Sequence, residues 1–284
     1  MLRPGARVGV FAPSGAYAPE RLEQGLELIR SWGLEPVRAP NLGATWRYLA
    51  GTDAQRLEDM AWALCSDEVD LAWMARGGSG LPRILPDLDL ARVKRPALGF
   101  SDGTALHQAL RLVGVRGIHG PVLHSLVDLC SPDTQEAVRA LLLEGRRPDL
   151  PGTAWVEGQV EAPVVGGNLC VLGALCGTPY QLRGEGCIVL LEDIAEPAYK
   201  LDRLLVQLSQ AGVFDGAVGV ALGQFVNCRP PQGADYSIEQ VLLERLEPLG
   251  LPIVGSLPVG HGPVNRPWIH GGTMRLDGCG LHAR

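Results

Sequence analysis

The chain has 284 residues, of which 46% are hydrophobic and 20% charged, and its formal net charge is −6. This is the composition of a globular protein, without the low hydrophobicity of disordered chains. An acidic chain with no run of lysines and arginines lacks the basic surface typical of nucleic-acid binding. No apolar run reaches the roughly 18 residues of a membrane-spanning helix, and the first apolar stretch, 8–12, is too short for a signal peptide. We therefore expect a cytoplasmic protein that binds neither nucleic acid nor membrane.

The first half of the chain alternates short apolar runs with amphipathic segments. The apolar runs at 7–12, 70–76 and 95–100 predict strands, because turn-forming or polar residues bound each of them. Apolar residues at helical spacing predict helices near 22–32, 57–64, 102–113 and 132–143. This alternation is typical of a parallel sheet covered by helices on both faces.

Residues 144–163 interrupt this pattern, since they hold three prolines and three glycines and show no apolar periodicity. We interpret them as a linker. The predicted fold class is α/β, with an N-terminal parallel-sheet domain of flavodoxin or Rossmann type over 1–143 and a smaller C-terminal α/β domain over 164–284. The predicted elements of the second domain are strands at 187–193 and 216–225, helices near 168–176, 201–208 and 238–248, and short strands in the last forty residues.

The segment Gly99-Phe100-Ser101-Asp102-Gly103 joins a predicted strand to a predicted helix. It matches the G-x-S-x-G pattern, in which a serine on a sharp turn is exposed beside the unpaired N–H groups of a helix N-terminus. Serine and aspartate are also common helix N-caps. The pentapeptide alone therefore leaves a catalytic and a purely structural interpretation open.

A serine nucleophile needs a base and an acidic group that orients this base. Three histidines, His119, His261 and His270, lie beside glycine at the end of an apolar segment, where an imidazole can enter a cleft. Glu192 and Asp193 end a predicted buried strand, and ligand sites of open α/β sheets lie at the carboxyl ends of strands. The remaining histidines suit structural roles: His107, His124 and His282.

Seven cysteines, an odd number without a C-x-x-C pair, predict reduced and mostly buried thiols. The chain has neither G-x-G-x-x-G nor G-x-x-x-x-G-K-[ST], so a nucleotide-binding module is not favoured, although the glycine-rich segment 76–80 resembles a phosphate nest. A covalent adduct on Ser101 would exclude such a non-enzymatic role.

Several longer segments together resemble the LD-carboxypeptidases, the muramoyltetrapeptide carboxypeptidase family of serine peptidases. They occur in the family's order and span nearly the whole chain. The segments are YLAGTDAQRLEDM (48–60), ARGGSGLPRILPDLD (75–89), GFSDGTALH (99–107), GGNLCVLGALCGTPY (166–180), LEDIAEPAYKLDRLLVQL (191–208) and GHGP (260–263).

The resemblance implies a Ser-Glu-His triad. Ser101 from the N-terminal domain is the implied nucleophile, and Glu192 and His261 from the C-terminal domain are the implied acid and base. The backbone N–H groups of Gly78 and Asp102 are the implied oxyanion hole, which stabilises the tetrahedral intermediate.

The resemblance further implies hydrolysis of the terminal L,D peptide bond of murein tetrapeptides, with release of D-alanine during peptidoglycan recycling. It implies no metal and no organic cofactor, and members of the family are commonly homodimers. A carboxypeptidase must also bind the terminal carboxylate of its substrate. Arg76 and Arg203 are the candidate cations for this role, although both also suit ion pairs with neighbouring carboxylates such as Asp202.

Two positions depart from the family pattern, and two other enzyme classes remain open. Ser79 replaces a common aromatic residue, and Gly103 replaces a side chain that is commonly branched; neither is a triad position. An α/β-hydrolase esterase has the same Ser, acid, His order along the chain but is built on a single-domain sheet. A microcin C immunity-type peptidase, which cleaves peptidyl nucleotides, shares the triad and the fold.

Overall fold

The computed structural model describes residues 1–284 and divides into two compact units. The first unit comprises Met1–Arg147 and Pro267–Ile269, and the second comprises Pro148–Arg266 and His270–Arg284. The strands are β1 (Arg7–Phe11), β2 (Glu35–Arg38), β3 (Leu71–Met74), β4 (Ala97–Gly99), β5 (Gly117–His119), β6 (Leu150–Pro151), β7 (Thr153–Val156), β8 (Val160–Asn168), β9 (Ile188–Ile194), β10 (Gly219–Val226), β11 (Ile253–Gly255), β12 (Trp268–His270), β13 (Thr273–Asp277) and β14 (Gly280–Ala283). The α-helices are α1 (Pro19–Ser31), α2 (Asp53–Cys65), α3 (Leu81–Ile84), α4 (Thr104–Leu112), α5 (Leu123–Asp128), α6 (Pro132–Glu144), α7 (Leu169–Leu175), α8 (Ala198–Gln210) and α9 (Ile238–Leu246).

The first unit contains a six-stranded sheet in the order β12-β5-β4-β3-β1-β2. Strands β1 to β5 pair in parallel. Every residue of β3 is buried, which requires cover on both faces of the sheet. The predicted α/β class is therefore confirmed, and each strand and helix predicted for the first half lies within a few residues of its observed position.

The edge strand β12 comes from a part of the chain far from the other five strands. The Trp268 ring stacks on the His119 imidazole, with 5.0 Å between the ring centroids and 21° between their planes. Ile269 packs against the apolar core of the first unit. The sequence predicted short strands in this region but not this pairing, because periodicity within a segment carries no information about a distant partner.

The second unit contains an eight-stranded sheet in the order β6-β14-β13-β8-β9-β10-β11-β7. Four adjacent strands, β8 to β11, pair in parallel, and the remaining strands pair antiparallel. All of β9 except Ile194 is buried, and so are the first five residues of β10, as the apolar runs at 187–193 and 216–225 predicted.

The predicted linker at 144–163 is wrong, because residues 150–151, 153–156 and 160–168 form strands β6, β7 and β8. The two units divide between Arg147 and Pro148, and the later half of the chain is not one contiguous domain over 164–284. Strands β6 and β7 are short and lie at the two edges of the sheet, where proline and exposed residues are tolerated. Such strands do not produce the apolar periodicity that a sequence reading requires.

Side-chain caps set where several helices begin. Thr52 and Gln55 form a reciprocal capping box at the start of α2, and Ser237 and Gln240 form another at the start of α9. The Asn168 side chain accepts a hydrogen bond from the Val171 amide at the start of α7. Each cap satisfies backbone N–H groups that the first helical turn leaves without partners.

The cysteines form no disulfide, in keeping with the predicted thiols. Only Cys187 and Cys228 are buried, so the expectation that most of the seven are buried is wrong. None of the helices has both the length and the apolar character needed to cross a membrane.

His107 is a fully buried side chain on α4, beneath strand β4. Its Nε2 lies 2.8 Å from the carbonyl oxygen of Gly99, the last residue of β4. Burial lowers the pKa of His107, and this effect outweighs the opposite effect of the hydrogen bond to Gly99. The pKa falls from 6.5 to about 4. The imidazole is therefore neutral at pH 7 and donates from Nε2 to the carbonyl.

We predict that His107 makes the protein less stable in mild acid. The folded-state pKa lies below the unfolded-state value, so the unfolded chain binds more protons between about pH 6.5 and pH 4, and stability falls as the pH falls through this window. In urea unfolding, lowering the pH from 7 to 5 should cost the wild type about 2 kcal/mol more than His107→Gln, which does not titrate. Equal losses in the two proteins would contradict the assignment, and between pH 7 and 9 their curves should run in parallel.

Candidate active site

Ser101 occupies a strained turn directly after strand β4. Its φ angle is +62°, in the left-handed region that non-glycine residues seldom adopt. Residues Ser101–Gly103 form a 3₁₀ turn that leads into helix α4. This is the strand, sharp turn and helix geometry of a nucleophile elbow, and it keeps Ser101 half-exposed although its neighbours Asp102 and Gly103 are buried.

Gly99 and Gly103, at the two ends of the G-x-S-x-G segment, both pack against Met74. A Cβ atom on Gly99 would lie 2.5 Å from Met74 Sδ, and one on Gly103 would lie 2.7 Å from the same sulfur. The departure at Gly103 thus has a structural reason, since Met74 fills the space that a side chain at position 103 would need.

The glycine-rich loop after β3 passes directly beside Ser101. A Cβ atom on Gly77 would lie 3.1 Å from Ser101 Cβ and 3.3 Å from Ser101 Oγ. Gly78 is exposed, with a φ angle of +112°, and a Cβ atom on it would lie 3.3 Å from the Gly15 nitrogen. Bare backbone therefore lines this side of Ser101, as an oxyanion hole made of amides requires. The roles of the Gly78 and Asp102 amides stay predictions.

In the second unit, Glu192 and His261 form a buried pair. Glu192 lies on β9 and is completely buried, and His261 lies in the loop after β11 with 13% of its side chain exposed. His261 Nδ1 is 2.7 Å from Glu192 Oε2. An ionised carboxylate only accepts hydrogen bonds, so the imidazole donates from Nδ1 and Nε2 becomes its basic nitrogen.

The charge of Glu192 makes His261 a stronger base. Burial of the imidazole lowers its pKa, but the charge of Glu192, the hydrogen bond to it and the charge of Asp193 outweigh burial. The net result is a pKa above the ordinary value of 6.5. This is the electrostatic effect expected of an acid that orients a general base.

The GHGP loop, residues 260–263, reaches Glu192 because Gly260 has no side chain. A Cβ atom on Gly260 would lie 2.8 Å from Glu192 Oε2, and its φ angle of +124° also favours glycine. Asn265 Oδ1 accepts from the Gly260 amide at 3.1 Å, and Gln224 Oε1 accepts from the Gly262 amide at 2.9 Å. Neither Gln224 nor Asn265 is predictable from the sequence, since single amide side chains outside a motif carry no recognisable pattern.

Asp193, the other acid at the end of β9, binds a different partner set. Its carboxylate accepts hydrogen bonds from Asn168 Nδ2 and from the backbone amides of Cys170 and Ile194, at 2.9, 2.9 and 2.8 Å. Burial raises its pKa to about 6, and the nearby charge of Glu192 acts in the same direction. Asp193 thus holds the junction of β8 and α7, while Glu192 is the acid that contacts the imidazole of His261.

The other histidines proposed as bases occupy core positions. His119 is completely buried and packs between Trp268 and Phe100. His270 is also buried, and its Nε2 accepts from the Gly166 amide at 3.2 Å. Neither imidazole enters a cleft, so this expectation from their glycine-flanked positions is wrong.

The two candidate carboxylate-binding arginines lie in different surroundings. Arg76 is exposed next to the glycine-rich loop, and its guanidinium donates to the Ala16 carbonyl. Arg203 is exposed on α8, where its guanidinium lies 5.2 Å from the centroid of the Tyr199 ring. Asp202 pairs with Arg245 rather than with Arg203. Substrate binding by Arg76 and Arg203 stays a prediction.

A cavity of about 760 Å³ opens in the second unit beside the GHGP loop. Gly262 and Pro263 of this loop form part of its wall. Three aromatic side chains also line it: Trp155, Phe225 and Tyr236. Its size and mixed lining are those of a site for a small organic molecule.

Comparison with known proteins identifies both halves of the chain. Models of the LD-carboxypeptidase N-terminal and C-terminal domains match residues 8–120 and 161–276. A murein tetrapeptide carboxypeptidase of Pseudomonas aeruginosa is 36% identical, over 96% of this chain and 93% of its own.

Solved structures show the same fold. A muramoyltetrapeptide carboxypeptidase from Oxalobacter formigenes superposes with a TM-score of 0.82 at 25% identity, over 98% of this chain and all of its own. MccF, solved with glutamyl sulfamoyl guanosine, has a TM-score of 0.86 at 22% identity, over all of this chain and 97% of its own; at this identity the likeness concerns the fold alone. The chain belongs to the LD-carboxypeptidase family.

Proposed function

We propose that the protein is a serine carboxypeptidase that hydrolyses the terminal L,D peptide bond of murein tetrapeptides and releases D-alanine. Its nucleophile, acid and base are Ser101, Glu192 and His261. The proposal places the enzyme in the cytoplasm, in peptidoglycan recycling, as a homodimer. The murein tetrapeptide carboxypeptidase relative, 36% identical over nearly the whole chain, supports this choice of substrate.

The observation that carries the proposal is the buried hydrogen bond between Glu192 and His261. A fully buried carboxylate is costly unless it has a partner, and the partner of Glu192 is the imidazole nitrogen of His261 at 2.7 Å. This pairing makes the ring a stronger base. In the other unit, Ser101 sits on a strained turn beside the backbone of Gly77. These are the parts that acyl transfer to a serine requires.

The proposed reaction proceeds through an acyl-enzyme. Ser101 Oγ attacks the carbonyl carbon of the scissile amide while His261 Nε2 takes the hydroxyl proton, and Glu192 stabilises the resulting imidazolium. The amides of Gly78 and Asp102 bind the tetrahedral oxyanion. His261 returns the proton to the leaving nitrogen, which departs as D-alanine, and water then hydrolyses the ester by the same steps.

A second candidate function is cleavage of peptidyl nucleotides, as in microcin C immunity-type peptidases. The observation that favours it is the cavity beside the GHGP loop, because its aromatic side chains can stack on a planar base. An α/β-hydrolase esterase is not supported, since the chain has two units, each with its own sheet.

The deciding experiment is mass spectrometry of a murein tetrapeptide incubated with the purified protein. We expect the loss of one alanine from the D end. Inactivation of an aminoacyl-sulfamoyl nucleotide without action on the tetrapeptide would instead select the peptidyl-nucleotide function.

We predict that Ser101→Ala lowers kcat by a factor of about 10⁴ or more, because the nucleophile is lost while substrate binding is retained. His261→Ala should have a comparable effect on kcat but should also be less stable, because it leaves the buried Glu192 without its partner. Ser101→Ala should unfold in urea close to the wild type. Ser209→Ala is the matched control, since Ser209 is an exposed serine on α8 outside the proposed site. An active Ser101→Ala enzyme would refute the nucleophile assignment.

We predict that the acid limb of the kcat/KM profile has its midpoint above the ordinary histidine value of 6.5, since the base must be neutral and its pKa is raised. Activity should therefore be present above this midpoint and lost as the pH falls through it.

We predict that Glu192→Gln lowers the His261 pKa, measured by NMR of the imidazole, because it removes the negative charge. It should also reduce kcat by about 10²-fold to 10⁴-fold. Glu244→Gln, at an exposed site, is the control; an unchanged imidazole titration in Glu192→Gln would contradict the assignment.

A further inference from the structure

The side chain of Asp102, the residue after the proposed nucleophile, points into the core of the first unit. Asp102 is only 3% exposed. Its Oδ2 accepts from Ser14 Oγ at 2.6 Å and from the Leu81 amide at 2.8 Å. One carboxylate oxygen therefore links the turn that carries Ser101 to the loops that follow β1 and β3.

A buried guanidinium links the same two loops from helix α2. Arg56 is completely buried, and its Nη1 donates to the carbonyl of Pro13 and, at 2.9 Å, to the carbonyl of Gly80. Its Nη2 donates to Asp53 Oδ1 at 2.5 Å. Arg56 lies within the YLAGTDAQRLEDM segment, which contributes none of the proposed catalytic residues.

The glycine-rich loop packs closely against the guanidinium of Arg56 at Gly80. Gly80 has a φ angle of +120°, and a Cβ atom on it would lie 3.0 Å from Arg56 Nη1 and 2.7 Å from Leu49 Cδ2. At the other end of the loop, the Gly15 amide donates to the Gly77 carbonyl at 3.0 Å. The loop is thus held at both ends, with the exposed Gly78 between them.

We propose that Asp102 and Arg56 are positioning residues, which hold the glycine-rich loop at the distance from Ser101 that the Gly78 amide needs to bind the oxyanion. The two side chains do not touch the substrate in this proposal. They act through the backbone, because each one binds a group at the C-terminal end of the loop, the Leu81 amide and the Gly80 carbonyl.

The burial of Asp102 and Arg56 favours one fixed position of the glycine-rich loop. Burial raises the Asp102 pKa, and the hydrogen bonds from Ser14 and Leu81 and the charge of Arg56 oppose this rise. A buried carboxylate and a buried guanidinium that lose these partners carry the full cost of desolvation. Displacement of the loop away from Ser101 is therefore penalised, which keeps an amide pair preorganised for the developing charge.

Steady-state kinetics with the murein tetrapeptide separate positioning from substrate binding. Asp102→Ala should lower kcat about 100-fold with KM within threefold, because loss of one oxyanion donor costs 10²-fold to 10³-fold in turnover. Asp102→Asn retains an oxygen that can accept from Ser14 and Leu81, so it should recover about tenfold of this loss. A folded Asp102→Ala enzyme with wild-type kcat, or a change confined to KM, would overturn the proposal.

Milder variants keep the test decisive if Asp102→Ala does not fold. Ser14→Ala removes one donor to the carboxylate, and Arg56→Lys removes the forked geometry that reaches two carbonyls; each should lower kcat about threefold to tenfold. The matched control for Asp102→Asn is Asp67→Asn, and the matched control for Arg56→Lys is Arg139→Lys; both change the same chemical group in an exposed ion pair. An unchanged kcat in both Ser14→Ala and Arg56→Lys would overturn the proposal.

The kinetic test rests on the proposed function, and a second readout does not. Hydrogen exchange at the Leu81 amide should be faster in Asp102→Ala than in the wild type, whatever the reaction is, because this amide loses its acceptor. A wild type that releases no D-alanine would refute the proposed function alone. Unchanged exchange at Leu81 would refute the positioning role of Asp102 alone.

Discussion

The candidate site depends on the hydrogen bond between the buried carboxylate of Glu192 and the imidazole of His261. Glu192 carries a charge into a fully buried position on β9, and the imidazole of His261 is the group that compensates it. Removing one member of such a pair typically costs about 3–5 kcal/mol, because the other charge stays buried without compensation. The same interaction fixes the tautomer of His261 and raises its basicity. The hydrogen bond between Glu192 and His261 therefore contributes both to stability and to the proposed chemistry. It forms only because the backbone of the loop after β11 comes close to Glu192.

Glycine makes this close approach possible in both units. Gly260 lets the loop after β11 pass over Glu192, and Gly77 lets the loop after β3 pass beside Ser101. Gly103 has a different origin, since it makes room for the sulfur of Met74. The literal G-x-S-x-G match at 99–103 is thus partly a packing feature of this chain. A motif search that treats every glycine of the pattern as catalytic would misread it.

Much of the architecture could be predicted from sequence, and the failures share a physical cause. Buried parallel strands such as β3 and β9 produce apolar runs, and a serine between a strand and a helix is locally recognisable. The edge strands β6 and β7 do not produce such runs, so residues 144–163 read as a linker. His119 and His270 have the same flanking glycines as His261, and only tertiary packing separates them. The roles of Arg56 and Gln224 were not predictable, because the backbone groups that they bind are distant in the chain and no local pattern reports them.

Strand β12 has a consequence for how proteins of this architecture can be divided. Residues 267–269 are counted in the C-terminal domain model, yet they complete the sheet of the first unit. A fragment that stops at Arg147 would leave β5 with an open hydrogen-bonding edge and His119 without its stacked indole, and such an edge invites association with other chains. Chimaeras that exchange halves between relatives therefore need two crossovers besides the one after Arg147, before Pro267 and after Ile269, so that β12 comes from the same parent as the sheet it completes.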